Sequence, residues 1–161
     1  REELARATHA LEIAEAGGHA VIVSSGDPGV FAMASALFEA LEAWPADRHP
    51  EIAILPGITA MLAAAARAGA PLGHDFCAIN LSDNLKPWET VEKRLRAAAE
   101  ADFVIALYNP ISKARPWQLG RAFELLHSIH PASVPVKGNN LPCDSVTRSP
   151  WKMLAPSSIW Y

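Results

Sequence analysis

The sequence predicts an α/β fold of two small domains, the N-terminal one built mostly on parallel sheet. Three observations carry this. Apolar residues at helical spacing alternate along the chain with short β-branched runs. Each such run ends in a loop of glycine, proline and small polar residues. Half of the 161 residues are apolar and 19% are charged, the balance of a folded globular protein rather than a disordered or fibrous one.

Leu4, Ala7, Leu11 and Ala14 recur at helical spacing and stop at Gly17-Gly18, a natural C-terminal cap. Ala20-Val21-Ile22-Val23 then reads as a strand buried on both faces of a parallel sheet. A helix over 31–44 follows and ends at Pro45. Ile52-Ala53-Ile54-Leu55 is the next strand, closed by Pro56-Gly57, and 58–68 is an Ala-rich helix closed by Gly69. Residues 70–75 break the rhythm, which divides the chain into a domain over 1–70 and another over 71–136. In the second, strands over 77–81 and 103–107 alternate with helices over 88–100, entered through Pro87, and 117–129. Residues 137–161 carry Pro142, Pro150 and Pro156 without a helical or strand period. They read as a separate tail that leaves the edge of the second sheet open.

Several function classes fall away at this level. A net charge of −3 without a basic stripe argues against nucleic-acid partners. Cys77 and Cys143 stand alone without CxxC spacing, so no zinc site, other metal cluster or disulfide framework is expected, and a reducing cytoplasm is the expected home. The longest apolar tract, 58–66, is too short to span a bilayer, so no membrane partner is expected. There is no GxxxxGK[ST], and Gly26 and Gly29 do not complete GxGxxG. The following strand ends in Leu55-Pro56 rather than in the acidic residue a dinucleotide fold places against ribose.

In open α/β sheets ligands sit beyond the carboxyl ends of the strands, so the loops there are the candidate site. Ser24-Ser25-Gly26-Asp27-Pro28-Gly29-Val30 offers backbone N–H groups and a carboxylate able to accept from a ribose hydroxyl or an amine. The same Asp27-Pro28 pair is also good helix-start chemistry. Pro56-Gly57-Ile58-Thr59-Ala60 again puts a glycine and a hydroxyl at a strand end, where Thr59 also suits a helix cap. Tyr108-Asn109-Pro110-Ile111-Ser112 ends a strand in a rigid polar turn, which an Asn-Pro turn alone would also explain. If the rhythm holds, Gly26, Asp27 and Thr59 lie close in space.

The order Gly26-Asp27-Pro28, Pro56-Gly57-Ile58-Thr59-Ala60 and Leu107-Tyr108, each at a strand end, resembles the tetrapyrrole (corrin and porphyrin) methylases that use S-adenosylmethionine. Within that family Gly26-Asp27-Pro28-Gly29-Val30-Phe31-Ala32-Met33-Ala34, Leu81-Ser82-Asp83-Asn84-Leu85-Lys86-Pro87-Trp88 and Tyr108-Asn109-Pro110-Ile111-Ser112-Lys113-Ala114-Arg115-Pro116-Trp117 look like the branch that methylates C17 of a precorrin, with ring contraction, in cobalamin biosynthesis. The likeness covers about residues 1–136. It implies S-adenosylmethionine held between two α/β domains, by Ser25, Gly26, Asp27, Val30, Thr59, Ala60, Tyr108 and Asn109. It implies a precorrin-type tetrapyrrole as substrate and a homodimer as the assembly. A sulfonium methyl is already activated, so transfer needs alignment more than a strong base. Ring contraction moves protons, for which His74, Asp83 and Lys86 are the candidate acids or bases. Asp83, Asn84, Lys86, Lys113 and Arg115 are the candidate substrate contacts, the cations pairing with its carboxylates.

The chain departs from the family pattern at both ends, since nothing before Arg1 supplies the expected first strand and 137–161 does not match. Two other readings therefore stand beside a methyltransferase: a catalytically incomplete fragment of one, and an unrelated α/β nucleotide-binding module.

Overall fold

Helix α1 (Glu2–Glu15) turns Ala7 and Leu11 inward, four residues apart on one face. It ends as the glycine pair dictates. Gly17 takes φ +81°, which only glycine adopts at no cost, and the N–H groups of Gly17 and Gly18 return to the carbonyls of Ala14 and Ile13 at 3.0 Å each. Helix α2 (Met33–Leu41) buries Ala34, Leu37, Ala40 and Leu41. Leu37, Ala40 and Leu41 form a core with Ala7 and Leu11, against which Ile22, Trp44 and Ile52 pack. Arg48 pairs with Glu15 at the end of α1, and its guanidinium lies 5.7 Å from the Trp44 ring centre.

This computed structural model describes residues 2–84, 86–112, 116–131, 133–138 and 158–160. The chain falls into two compact units, Arg1–Thr59 and Ala60–Tyr161. In the first, 20–23 and 52–55 run without regular structure and form no ladder, so the expected parallel strands are absent there among the described residues. Ile22 packs on the helical core, whereas Val21 and Val23 are 88% and 87% exposed. One face is covered rather than two. Alternate side chains of an extended run point to opposite sides, and nothing described in this unit covers the second side. Helix α2 also starts later than expected, at Met33 rather than near Phe31. Phe31 sits at φ +53°, outside the helical region, and Ala32 is the N-cap.

The second unit holds the parallel pairing. Helix α3 (Ala60–Arg67) closes at Gly69, φ +83°, where the Ala70 N–H reaches the Ala65 carbonyl at 2.9 Å. The expected linker over 70–75 contributes a single 3-10 turn, Pro71–Gly73. Strand β1 (Phe76–Asn80), helix α4 (Trp88–Glu100) and strand β2 (Val104–Tyr108) follow as a β-α-β unit. Its strands run parallel in a register from Phe76 opposite Val104 to Asn80 opposite Tyr108. Ile79, Leu81, Leu95, Ile105 and Leu107 lie at the centre of its core, covered by α4 and by helix α5 (Gln118–His127) through Leu119 and Leu126. The chain is therefore α/β.

The expectation of an open sheet edge is overturned. Strand β3 (Lys137–Gly138) and strand β4 (Ser158–Trp160) extend the sheet in the order β1-β2-β4-β3, with β4 antiparallel to β2 and Ala106 opposite Trp160. Prolines exclude a helix, but they do not prevent a three-residue strand beyond the last of them. Leu85, Lys113, Arg115, Pro142, Cys143, Pro150 and Pro156 lie outside the described residues.

Helix α5 contains one residue at odds with its surroundings. Gln118 is completely buried, and neither carboxamide atom has a hydrogen-bond partner among the described residues. An unmet buried polar group costs about 1–3 kcal/mol. Gln118→Leu is accordingly expected to stabilise the chain by about 1 kcal/mol or more, seen as a rise of a few degrees in the thermal midpoint. An unchanged or lowered midpoint would show that the carboxamide is satisfied.

Candidate functional site

In the first unit the two glycine loops lie backbone against backbone. Gly26 takes φ +72°, and its carbonyl points at Gly57 so closely that a Cβ on Gly57 would stand 2.1 Å from the oxygen. Asp27 holds them together. Its Oδ1 accepts the Gly29 N–H at 2.8 Å, closing its own turn, and its Oδ2 accepts the Gly57 N–H at 3.0 Å. Asp27 therefore does not start α2; it joins two loops thirty residues apart. Each carboxylate oxygen keeps acceptor capacity, because an ionised carboxylate offers about four lone-pair sites and two are used here. Thr59 is buried at the end of the second loop, Ser25 is exposed, and Val30 is half-buried. The space a Gly57 side chain would need is taken by the Gly26 carbonyl, so only glycine lets the two loops pack this closely.

In the second unit the carboxyl ends of β1 and β2 carry a linked set of polar groups. Tyr108 is buried at the end of β2, and its hydroxyl accepts the Met61 N–H, in the first turn of α3, at 3.0 Å. Its carbonyl accepts the Leu81 N–H at 2.9 Å, carrying the parallel pairing one residue beyond the strands. Asn109 follows at φ +50°, a left-handed conformation asparagine tolerates better than most residues, and its Nδ2 donates to Asn80 Oδ1 at 3.2 Å. The same Asn80 oxygen accepts the Ser82 N–H at 2.9 Å. The loop over 81–87 is closed by Lys86, whose Nζ donates to the carbonyls of Asn80 and Ser82 at 3.0 and 3.1 Å. Asn80 was not among the expected site residues. A lone Asn ending a strand has no periodicity or spacing to mark it.

The candidate acids and bases are spread along β1 rather than gathered. Burial lowers the pKa of Lys86 from its ordinary value, the charge of Arg94 lowers it further, and Asp83 opposes both. His74 is exposed just before β1, at the other end of that strand from Asp83 and Lys86. A five-residue strand spans about 17 Å, so the three residues do not gather into one acid–base group. Asn84 is exposed in the same loop as Lys86, and Lys113 and Arg115 lie outside the described residues. Cys77 on β1 is half-buried, and burial raises its thiol pKa, which keeps it protonated at neutral pH. Among the described residues no group of three His, Cys, Asp or Glu is arranged to hold a metal ion, and no helix is long and apolar enough to cross a membrane.

With this geometry in hand, comparison with known proteins is decisive for the family. Residues 1–136 match the tetrapyrrole (corrin/porphyrin) methylases. The chain belongs to that family. Among curated tetrapyrrole methylases, it is 70% identical over 137 residues to a precorrin-3B C(17)-methyltransferase of a Sinorhizobium species, a match covering 84% of this chain and 54% of that protein. It is 48% identical over 134 residues to a probable cobalt-factor III C(17)-methyltransferase of Salmonella typhimurium, covering 83% of this chain and 55% of the relative. The chain thus spans about half the length of these two relatives. The crystal structure of the methyltransferase CobJ superposes with a TM-score of 0.84 at 55% sequence identity, over 99% of this chain and 71% of that one. The resemblance drawn from the three loops is borne out, and as a tetrapyrrole methylase the chain is a member of a methyltransferase family.

Proposed function

We propose that this chain is the cofactor-binding part of an S-adenosylmethionine-dependent methyltransferase that acts at C17 of a precorrin, with ring contraction, in cobalamin biosynthesis. The observation that carries the reading is the 70% identity, over 137 residues, to a protein named for that reaction. Relatives named for a cobalt-bearing substrate match at lower identity, 48% and 42% for two of them, which favours a metal-free precorrin.

Two sets of residues would hold the cofactor. In the first unit they are Ser25, Gly26, Asp27, Val30 and Thr59, with Gly57 letting its loop pack against Gly26. In the second they are Ala60, Tyr108 and Asn109. The cofactor supplies an already activated methyl group, and the residues need to bind, align and exclude water. Asp27 fixes the spacing of the two glycine loops through Gly29 and Gly57, so the first-unit surface is preformed. Tyr108 fixes the start of α3 through Met61, and Asn109 is held by Asn80. Asp83, Asn84 and Lys86 stand in the adjoining loop as substrate contacts. Lys86 is the strongest of them, a cation suited to the carboxylates of a tetrapyrrole.

Calorimetric titration with S-adenosylhomocysteine tests the cofactor reading, with micromolar binding expected. Absence of binding, or preference for a phosphorylated nucleotide, would overturn it in favour of a catalytically incomplete member of the family. Asp27→Ala is expected to weaken that binding by about 1–3 kcal/mol and to lower the thermal midpoint as well, because it removes an acceptor from two backbone N–H groups. Unchanged affinity beside a lower midpoint would confine Asp27 to holding the loops.

A further inference from the structure

The helices that follow β1 and β2 both begin at a tryptophan. Trp88 opens α4, and Trp117 is the residue before α5. Because β1 and β2 are parallel neighbours and each helix follows its strand, both rings stand on the side of the sheet where the strands end. There they join Asn80, Lys86, Tyr108 and Asn109. The two rings meet edge to face, with centres 4.9 Å apart and planes at 74°. Such a contact is attractive beyond its area and fixes the orientation of both partners.

The two rings differ in what else holds them. Trp88 is half-buried against the core, and its indole N–H donates to Glu92 Oε1 at 2.8 Å. Trp117 is 45% exposed. A large aromatic left in solvent, oriented from one side by a ring that is itself anchored, has little conformational freedom to lose on binding. Open α/β folds take their ligands on this side of the sheet. Lys86, two residues before Trp88, adds a charge. Its ammonium carries three donors, and the carbonyls of Asn80 and Ser82 occupy two.

We propose that Trp117 is the stacking surface for the face of a conjugated macrocycle with carboxylate arms, one of which takes the remaining N–H of Lys86. This rests on the substrate class proposed above and names the residue that sets the plane of the substrate. The adenine ring of a cofactor is also flat, but it carries no carboxylates for Lys86. The test separates the two.

Uroporphyrin III, a flat tetrapyrrole with eight carboxylates, serves as the probe. Its binding to the full chain is followed by quenching of tryptophan fluorescence and by its own absorbance, with S-adenosylhomocysteine titrated in parallel. Trp117→Leu is expected to weaken uroporphyrin binding about tenfold or more, the scale of one lost stacking contact, and to leave S-adenosylhomocysteine binding unchanged. Trp117→Phe, which keeps an aromatic face, should restore most of the affinity. Equal uroporphyrin binding by Trp117→Leu and the parent chain would overturn the inference and leave the substrate reading standing. Loss of both ligands together in Trp117→Leu would also overturn it, by showing that the ring only supports the fold. A parent chain that binds no uroporphyrin would overturn the inference and the substrate reading together.

Discussion

Gly57→Ala is expected to destabilise the first unit by about 3 kcal/mol, near the top of the usual range for overpacking, and to abolish measurable binding of S-adenosylhomocysteine. The added Cβ would lie 2.1 Å from the Gly26 carbonyl oxygen and 3.1 Å from its carbon, and real Cβ contacts essentially never fall below 3.0 Å. The obstacle is backbone, so no rotamer change relieves it, and the loops must part by about 1 Å. That separation also stretches the 3.0 Å bond from the Gly57 N–H to Asp27 Oδ2, which holds the second loop to the first. One substitution thus attacks both the close approach and its tether. Gly120→Ala is the matched control. A Cβ there meets nothing within 4 Å in a helix, so it should stabilise the chain by about 0.5–1 kcal/mol. Denaturant titration and calorimetry on the two variants check the pair. A Gly57→Ala chain that folds and binds like its parent would show that the loops do not touch in solution.

The parts of this fold that were legible in the sequence are those set by neighbours along the chain. Gly17 and Gly69 end their helices as expected, because a left-handed residue with two returning N–H bonds is a local device. The helix after Pro87 runs from Trp88 to Glu100, as its apolar spacing requires. What failed depends on partners far away in sequence. Residues 20–23 have a strand-like composition, but a ladder needs a second strand, and composition does not supply one. The pairing of β4 failed to register for the opposite reason. Three residues past the last proline carry no period, yet they form a strand once β2 and β3 are beside them. The candidate site divides in the same way. The glycines, Asp27, Tyr108 and Asn109 were marked by their positions after apolar runs. The bond from Asp27 to Gly57 was invisible because it spans thirty residues, and Asn80 was passed over as part of a strand and Trp117 as the start of a helix.

The largest loss of stability is expected from Leu107→Ala, about 2–5 kcal/mol, and it should reach the site. Leu107 is fully buried in β2, opposite Ile79 of β1 on one side and Ile159 of β4 on the other, within the main core of the second unit. Removing its branched end leaves a cavity under a strand hydrogen-bonded on both edges, which cannot collapse without disturbing its register. The next residue along is Tyr108, whose hydroxyl holds α3 through Met61 and whose carbonyl holds Leu81. A shift in β2 is therefore transmitted to both groups. S-adenosylhomocysteine binding by the folded variant should fall along with its unfolding midpoint. Val21→Ala provides the contrast, since Val21 belongs to an equally β-branched run but is 88% exposed. Its effect should stay within about 0.5 kcal/mol, as for surface substitutions that touch no special feature. Equal losses from the two substitutions in denaturant unfolding would mean that 20–23 is buried in solution, and that the first unit carries the two-sided sheet its sequence suggests.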